Sequence, residues 1–498
     1  MLAWTVYSSF LGVVVLMLMR STDAAAARKV ALVTALTGLV CAVWGVLQLD
    51  RGGEVVVITR TAWVPSLGID YFLGADGVSV TLVLLTSLAS VAGVLFSWNI
   101  EHRAREFFAF YFVLIGGVYG VFLSFDLFLL FVFYEIAIIP KYFIIAIWGS
   151  TRREYGAMKL ALYSFVGSAM VLVGMIGAYV LSGSVTFNLL ELAKHPYPMT
   201  FQVWAFPLVF VGFTILAGLW PFHTWAPTGH VAAPTAASML LAGVVMKLGA
   251  YGGLRVAMTL FPEGLAYWRE AVAVLAVIGI VYGAMVALTQ RDFKFVIGYS
   301  SVSHMGFVLL GLMTLSEVGL SGAVLQMFSH GVIAGLLFAV VGRMVYDRAH
   351  TRVLGELEVM RLGRALPFAG VTFVIAGLAS MGMPGFSGFI AELKILIGAW
   401  QTFPWLAVLA GVGILIGVGY TLRVIQKGFF SGQGPAPKER DGNPASSLDP
   451  ITVPERLGAV MLMAASLVIG LYPKLLLDWI VPSLQSPQFS GIWTRSGM

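Results

Sequence analysis

Four ionisable side chains lie deep inside apolar stretches of the sequence. Glu135 lies near the middle of DLFLLFVFYEIAIIPKYFIIAIWG, and Lys247 lies at the centre of PTAASMLLAGVVMKLGAYGGLRV. His304 and His330 each lie within a further apolar stretch, one following the other along the chain. A charged group at the centre of a bilayer costs at least about 2.5–3.5 kcal/mol, so it persists where it faces an interior cavity, pairs or carries an ion. These positions therefore indicate a path for protons or cations.

The residue types suit proton transfer. Histidine titrates near neutral pH, so two histidines in neighbouring helices can pass a proton, although a single buried histidine is more often a satisfied core residue. Lys247 can gain or lose its proton when a neighbour changes, because burial and a nearby carboxylate act on it in opposite directions. Glu392 and Lys394, which follow Pro384, extend the series, although they also fit an ion pair at a helix end.

Lys141 follows Pro140 in the same apolar stretch as Glu135. In a helix, the six residues from Glu135 to Lys141 correspond to about 9 Å of rise and about 240° of rotation, so the two do not share a face. A long lysine side chain can still swing toward the acid. The alternative is snorkelling to the membrane surface, which is a long reach from about 12 Å inside the helix end.

Two further histidines, His223 and His230, lie in AGLWPFHTWAPTGH, where an apolar run is interrupted. Their seven-residue spacing equals about two helical turns, but Pro227 lies between them. No further Cys, His or carboxylate ligand is adjacent in the sequence, so no metal site is predicted. We interpret the two histidines as polar caps on a broken helix, with a role in hydrating it.

Membrane-spanning helices must position these groups. The chain of 498 residues is 59% apolar and only 11% charged, with a mean hydropathy of +0.92, whereas soluble domains contain about 25% charged residues. Runs of about 20 apolar residues, the length that spans a bilayer, recur along the chain. The sequence therefore predicts an all-α polytopic membrane protein of about fourteen spans, centred near residues 10, 39, 87, 115, 137, 170, 212, 245, 277, 304, 332, 383, 415 and 466.

Basic residues mark one set of loops. They are concentrated after the odd-numbered spans, and the positive-inside rule places those loops in the cytoplasm and both termini outside. The basic positions are Arg20, Arg28, Lys29, Arg103, Arg105, Arg152, Arg153, Arg291, Lys294, Arg343, Arg348, Arg352, Arg361, Arg364, Lys438 and Arg440. We therefore expect an integral protein of a bacterial or archaeal plasma membrane, in contact with the lipid bilayer and not with nucleic acid. The first span, with its basic residues behind it, is predicted to be retained.

Two proline-containing interruptions occupy matching places. Pro221 follows Glu135 by 86 residues, and Pro384 follows His304 by 80 residues. Broken helices at matching places in two halves indicate an ion path in inverted-repeat transporters. The single cysteine can form neither an internal disulfide nor an iron–sulfur cluster, and we predict no redox cofactor in this chain. The longest polar stretch, residues 431–450, is interpreted as a linker or partner-contact loop.

Several motifs resemble those of one family in their order and spacing. They are FYEIAIIPKYFIIAIWG, PFHTWAPTGHVAAPTAASMLLAGVVMKLGAYGGLRV, QRDFKFVIGYSSVSHMGFVLLG, LQMFSHGVIAGLLF and MGMPGFSGFIAELKIL. The family is the antiporter-like subunits of proton-pumping NADH:quinone oxidoreductase, respiratory complex I, and it includes Mrp-type cation/proton antiporter subunits. A further stretch, WVPSLGIDYFLGADGVSV, is similar to the subunit M (chain 4) branch. The resemblance covers nearly the whole chain.

This resemblance implies a fourteen-helix fold with two inverted five-helix repeats and broken helices 7 and 12. Helices 1–3 would occupy residues 1–105, the repeats residues 106–260 and 261–430, and a loop with helix 14 residues 431–498. The positions that match the family's proton relay are Glu135, Lys247, His304, His330 and Glu392, with Lys159 and Lys294 at basic positions. FMN, iron–sulfur clusters and quinone would be bound by partner subunits. Neighbouring antiporter-like subunits would adjoin this chain in the membrane.

One position departs from the family pattern. The family usually has a lysine seven residues before the first histidine of the PFHxW motif, and here that position is Leu216. Gly218 replaces the usual proline two residues later. That lysine pairs with the glutamate of the fifth span in the family, so its loss puts the usual pumping switch in question. Our hypothesis is that Lys141 supplies the missing cation from the same helix as Glu135.

The predicted function is proton translocation in a redox-driven oxidoreductase, with His223, His230 and Lys394 in secondary roles. Three alternatives remain open. They are a subunit of a multi-subunit sodium/proton antiporter, a membrane subunit of a related hydrogenase or non-NADH oxidoreductase, and a structural subunit that pumps nothing. The presence of ionisable residues at the matched positions from Lys247 onward argues against the last.

Overall fold

The computed structural model describes residues 1–20, 23–431 and 448–493, and most of these residues are helical. The long helices and the two strands, in chain order, are α1 (Ala3–Leu18), α2 (Ala24–Leu47), β1 (Val56–Val64), β2 (Ile69–Ala75), α3 (Gly77–Phe96), α4 (Ala104–Leu123), α5 (Leu127–Trp148), α6 (Arg153–Leu181), α7 (Met199–Ala217), α8 (Trp225–Ala232), α9 (Thr235–Leu260), α10 (Pro262–Thr289), α11 (Phe293–Met313), α12 (Glu317–Ala349), α13 (Pro367–Ser380), α14 (Ser387–Thr402), α15 (Pro404–Phe430), α16 (Val453–Leu471) and α17 (Lys474–Gln485). Short helices lie at Pro65–Leu67, Leu189–Leu192, Leu354–Val359, Leu362–Ala365, Pro487–Phe489 and Ser490–Trp493.

Twelve of the described helices are long and apolar enough to cross a membrane, and α1 and α13 are shorter apolar helices. The prediction of a helical integral membrane protein is confirmed, whereas the count of fourteen spans and the repeat boundaries stay predictions. The apolar parts of α9 and α12 are buried throughout, whereas most residues in those of α2, α15 and α16 are partly buried or exposed. Helices α9 and α12 therefore form the centre of the bundle, and the exposed apolar faces are suited to lipid.

Two glycines bring the central helices together. A Cβ atom on Gly243 of α9 would lie 3.1 Å from the carbonyl oxygen of Gly331 in α12, and one on Gly331 would lie 2.6 Å from that of Gly243. Lipid tails are as apolar as leucine, so close packing of small residues is what holds membrane helices together. Gly243 lies about one turn before Lys247, and Gly331 directly follows His330. The close approach therefore brings two predicted site residues together.

Both predicted helix breaks are present. Residues 218–224 separate α7 from α8, and residues 381–386 separate α13 from α14. Gly218 ends α7 with a φ of 84°, a left-handed conformation that glycine adopts without strain. Proline, which the family pattern places here, fixes φ near −65° and is incompatible with it. Leu216 and Gly218 thus belong to one altered helix end.

Within the described residues, four π-helical turns interrupt the regular helices. Two lie in α9, at Leu241–Val245 and Gly253–Ala257, one in α12 at Val340–Tyr346, and one in α15 at Gln426–Phe430. Such turns are rare and occur frequently at functional sites. The first of them ends two residues before Lys247.

The β1–β2 hairpin was not predicted from the sequence. The two strands pair antiparallel, and β2 packs against α3, α4 and α5. Asp126, the N-cap of α5, accepts hydrogen bonds from the backbone N–H groups of Phe128, Leu129 and Asp70, the last at 3.0 Å. Burial raises the pKa of the Asp126 carboxyl to about 6, so it is a carboxylate at neutral pH and accepts these bonds. We call this end of the bundle the hairpin side.

At the opposite end of the bundle, some of the basic residues that were predicted to lie in loops lie in helices and form ion pairs. Arg343 and Arg348 lie within the end of α12, not in a loop, and both bind Glu455 in the first turn of α16, at 2.6 and 2.8 Å. A charge count alone gives topology and does not reveal such pairing. Residues 432–447, which contain Lys438 and Arg440 and most of the predicted linker, lie outside the described residues.

Candidate functional site

Four ionisable residues form a row across the centre of the bundle. Lys247 Nζ lies 2.8 Å from His330 Nδ1, and the rings of His330 and His304 stack with their centroids 5.5 Å apart. His304 Nδ1 lies 3.0 Å from Glu392 Oε1. The row passes from α9 through α12 and α11 to α14. The structure therefore brings together four of the six principal residues predicted from the sequence.

The lysine end of the row is fully enclosed. Lys247 is 0% exposed and His330 is 4% exposed. Lys247 Nζ also donates a hydrogen bond to the carbonyl oxygen of Ala242, in the π turn that precedes it. Two partners therefore fix the lysine head group in the middle of α9, far from the helix ends where it could snorkel.

The acid end of the row depends on the second helix break. Ser380 is the last residue of α13, and its hydroxyl lies 3.2 Å from His304 Nε2. Glu392, on α14 beyond the break, is 5% exposed. If Glu392 is a carboxylate, His304 must carry its proton on Nδ1, and Nε2 then accepts a hydrogen bond from the serine hydroxyl. Ser380 and Gln326, which donates to Glu392 at 3.1 Å, were not predicted from the sequence.

Lys394 does not join this row. It is half-buried, and Glu317 is the charged group that acts on it. Its Cβ atom packs against Gly322 of α12. Glu392 and Lys394 are close in sequence on α14, but their side chains have different surroundings. Lys394 therefore does not extend the row.

The first half of the molecule is arranged differently. Glu135 on α5 accepts a short hydrogen bond from Ser168 of α6. Lys141 is 2% exposed, and its Nζ has no hydrogen-bond partner within the described residues. Glu135 is the charged group that acts on Lys141. Leu216 of α7 is 1% exposed, so an apolar side chain fills the position where the family usually has a lysine.

The two histidines beside the first break are buried among aromatic rings. The ring of His223 lies 5.2 Å from that of Tyr282, and the ring of His230 lies 5.9 Å from Trp225 and 5.2 Å from Phe338. Neither ring nitrogen of His230 has a hydrogen-bond partner within the described residues, so its ring caps no helix end there. No group of three or more metal-binding side chains is present in the described part of the chain.

The two basic positions at helix starts contact α8 and the residue that follows it. Lys159 Nζ donates to Thr228 Oγ1 at 3.4 Å, and Lys294 Nζ donates to the Ala233 carbonyl oxygen at 3.1 Å. Lys294 and Asp347 line a cavity of about 230 Å³ on the side opposite the hairpin. The cavity lies next to the C-terminal end of α8 and is large enough to hold water.

A second buried charged group was missed by sequence reasoning. Arg255 of α9 pairs with Asp76, the N-cap of α3, at 2.7 Å, with side chains 1% and 0% exposed. Gln488 Nε2 donates to Asp76 at 2.6 Å, and Arg255 also donates to Tyr251. The sequence signal was one acid and one base, each next to an apolar stretch. Because 179 residues separate them, the sequence does not show that they pair. All these charges are matched, unlike those of the row.

The fold and the row define a class: a polytopic membrane protein whose interior carries ionisable groups between two broken helices. Residues 124–417 match the family described as NADH:quinone oxidoreductase/Mrp antiporter, transmembrane. The chain belongs to that family. It is 37% identical to NAD(P)H-quinone oxidoreductase chain 4 1 of Synechococcus sp. (strain JA-3-3Ab), over 88% of this chain and 83% of that one.

Two further comparisons agree. The chain is 36% identical to NADH-quinone oxidoreductase subunit M of Rhodobacter capsulatus, over 85% of this chain and 82% of that one. The structure is similar to a chain of respiratory complex I from Thermus thermophilus with bound NADH, with a TM-score of 0.87 and 27% identity over 99% and 100% of the two chains. The predicted family resemblance is therefore confirmed.

Proposed function

We propose that this chain is a proton-translocating membrane subunit of a redox-driven NADH:quinone oxidoreductase, of the subunit M (chain 4) type. The observation that carries the proposal is the row from Lys247 to Glu392, in which four ionisable residues adjoin one another across four helices. The names of the relatives support the oxidoreductase over a subunit of a multi-subunit sodium/proton antiporter.

Charge couples the members of the row. Lys247 Nζ and His330 Nδ1 are 2.8 Å apart, so a positive charge on both at once is strongly unfavourable in a buried site. A proton that arrives at Lys247 therefore favours release of a proton from His330 toward His304. The Glu392 carboxylate accepts it at the far end. This sequence of steps needs no redox group in this chain.

The energy for transport comes from partner subunits in this proposal. FMN, iron–sulfur clusters and quinone belong to those partners, and neighbouring antiporter-like subunits adjoin this chain. The side opposite the hairpin faces the cytoplasm of a bacterial or archaeal plasma membrane, with both termini outside, because arginine concentrates there. Residues 106–260 and 261–430 form the two inverted repeats.

Lys141 replaces the missing lysine of α7 in the first half. Its buried, unpaired Nζ supports this role, because a lysine with no hydrogen-bond partner is free to move toward an acid. Glu135, which acts on it electrostatically, is the acid in question. His223 lies in the break between α7 and α8, and His230 lies in α8; secondary roles in proton transfer or hydration fit these positions.

The test is the assembled complex itself. The tagged chain is purified in mild detergent, the associated proteins are identified by mass spectrometry, and NADH-driven acidification is measured in sealed vesicles. We expect flavin and iron–sulfur subunits together with NADH-driven pumping. A set of small membrane subunits without redox proteins would make the chain an antiporter component and overturn the proposal.

A further inference from the structure

The row from Lys247 to Glu392 contains one interruption. The rings of His330 and His304 are stacked, with centroids 5.5 Å apart and planes inclined by 29°. Proton transfer follows hydrogen bonds, either direct or through one water molecule. Lys247, Glu392 and Ser380 are the partners of three of the four ring nitrogens, His330 Nε2 has none, and no hydrogen bond joins the two rings within the described residues. The step between the two histidines therefore needs a bridge.

Gln326 lies beside this interruption. It is 2% exposed and lies about one turn before His330 on α12. Its Nε2 donates to Glu392 Oε1 at 3.1 Å, which fixes the amide orientation because a carboxylate only accepts. The amide oxygen, Oε1, is thereby turned away from Glu392. Within the described residues neither this oxygen nor His330 Nε2 has a hydrogen-bond partner.

A small cavity lies at this interruption. It has a volume of about 10 Å³ and is lined by the polar residues His304, Gln326, His330, Ser380 and Glu392 and by Ile333, Ala379 and Gly388. A buried water needs about 10–15 Å³ and two to four polar partners. This cavity matches the lower limit for one water and is surrounded by enough donors and acceptors to hold it. Larger or charged guests do not fit.

We propose that Gln326 is a positioning residue that holds one bridging water between His330 and His304 and fixes the Glu392 carboxylate at the same time. The water donates to the Gln326 amide oxygen and accepts from, or donates to, His330 Nε2. His330 Nε2–H gives its proton to the water, and the water passes one of its own protons to the Glu392 carboxylate, directly or through His304. This inference rests on the proposed function, since it assigns a residue to one step of the same relay.

The first test compares three variants in the assembled complex. Gln326→Met removes both the oxygen and the nitrogen of the side-chain amide and keeps the side-chain length. Gln326→Glu keeps the acceptor oxygen. Gln202→Met is the matched control, because Gln202 is 4% exposed and its amide binds only backbone groups, those of Tyr197, Glu263 and Gly264. NADH-driven pumping in vesicles is normalised to the amount of assembled complex.

We expect Gln326→Met to lower the pumping rate about tenfold or more, the effect of losing one positioned proton-transfer step. Gln202→Met should leave the rate per assembled complex unchanged. Gln326→Glu places a second carboxyl beside Glu392, and two adjacent carboxyls share one proton. That variant should therefore pump well at pH 6 and poorly at pH 8. A structural role alone predicts no such recovery at low pH.

Five titratable groups lie at or next to this point and bear on the pH test. They are Glu392 from α14, His304 from α11, His330 from α12, Lys247 from α9 and Tyr420 from α15. Helices α3 and α13, which also pack on α12, contain no charged residue. Helices α16 and α17 carry theirs at Glu455, Arg456, Lys474 and Asp478. Wild-type pumping measured at both pH values corrects for these shared groups.

Several outcomes contradict the inference. Wild-type pumping in Gln326→Met would overturn it, as would equal loss in Gln326→Met and Gln326→Glu at both pH values. If wild-type complex pumps and Gln326→Met pumps equally, only this inference fails; if wild-type complex does not pump, the proposed function fails. If Gln326→Met does not assemble, a cryo-EM map of wild-type complex at water-resolving quality decides. Density within hydrogen-bond distance of Gln326 Oε1 and His330 Nε2 is expected, and its absence overturns the proposal.

Discussion

The two halves of this protein arrange similar residues in different ways. In the second half, Lys247, His330, His304 and Glu392 adjoin one another, and polar partners such as Ser380 hold them in place. In the first half, Glu135 binds only Ser168 among the described hydrogen-bond partners, and Lys141 has no such partner. One half holds a connected row, and the other holds a buried lysine whose amine has no hydrogen-bond partner within the described residues.

Under the proposed function, we infer different tasks for the two halves. Fixed groups at short distances pass a charge by shifting each other's protonation, with little motion. A buried amine without a hydrogen bond is costly to keep, and it is retained where movement is part of function. Lys141 and Glu135 lie on one helix, so pairing needs a side-chain swing and not a helix shift. The first half is therefore suited to switching and the second to conduction.

Loss of proton pumping is the largest effect expected, and Lys247→Met is the first of two variants that should show it. The substitution removes the first member of the fixed row with nearly the same side-chain length, so pumping should fall about a hundredfold or more. NADH-driven acidification in vesicles, normalised to assembled complex, measures it. The matched control is Lys394→Met on α14, since Lys394 is half-buried and outside the row. Similar losses in both variants would mean that the row is not a privileged path.

The second prediction concerns the cation of the first half. Lys141→Met should abolish coupled pumping, because Glu135 then has no cation to exchange with, while the amount of assembled complex stays the same. Quinone reduction, pumping and subunit content are measured on the same membranes. Pumping at the wild-type rate in Lys141→Met would show that the position is structural.

A restoring substitution sharpens this prediction. Leu216→Lys returns a lysine to the position where the family usually has one, and combined with Lys141→Met it should recover part of the pumping. Recovery will be incomplete, because Leu216 is 1% exposed and inserting a longer side chain into a packed site is destabilising. Suppose that Lys141→Met alone loses pumping and the double variant recovers it. Pumping would then require a positive charge near Glu135, whichever helix carries it.

Much of this arrangement could be predicted from the sequence. Ionisable residues are rare in apolar stretches, and this rarity identified Lys247, His304, His330 and Glu392. The two helix breaks were indicated by Pro221 and Pro384. Their order in space could not be predicted, because it depends on helix packing at points such as Gly243 against Gly331. Polar but uncharged partners, such as Ser380, carry no signal against the many serines and glutamines of membrane helices.

The buried pair of Asp76 and Arg255 tests whether burial alone makes a relay residue. Both side chains are almost completely enclosed, at 0% and 1% exposure, and they lie 2.7 Å apart. Asp76 also caps α3 by accepting from Ser79 N at 2.9 Å. Unlike the row, the two charges neutralise each other in place. They join α9 to α3 and, through Gln488, to the segment after α17.

The smallest effect on pumping is therefore expected from Arg255→Met. Removing one partner leaves Asp76 as an uncompensated buried charge, which should lower the free energy of unfolding by about 3–5 kcal/mol and reduce the amount of assembled complex. Pumping per assembled complex should stay at the wild-type level. Adding Asp76→Asn removes the stranded charge and keeps the helix cap, because asparagine caps as well as aspartate, so thermal stability should recover. A lasting loss of pumping in the stable double variant would place this pair in the proton path and erase the distinction between paired charges and the row.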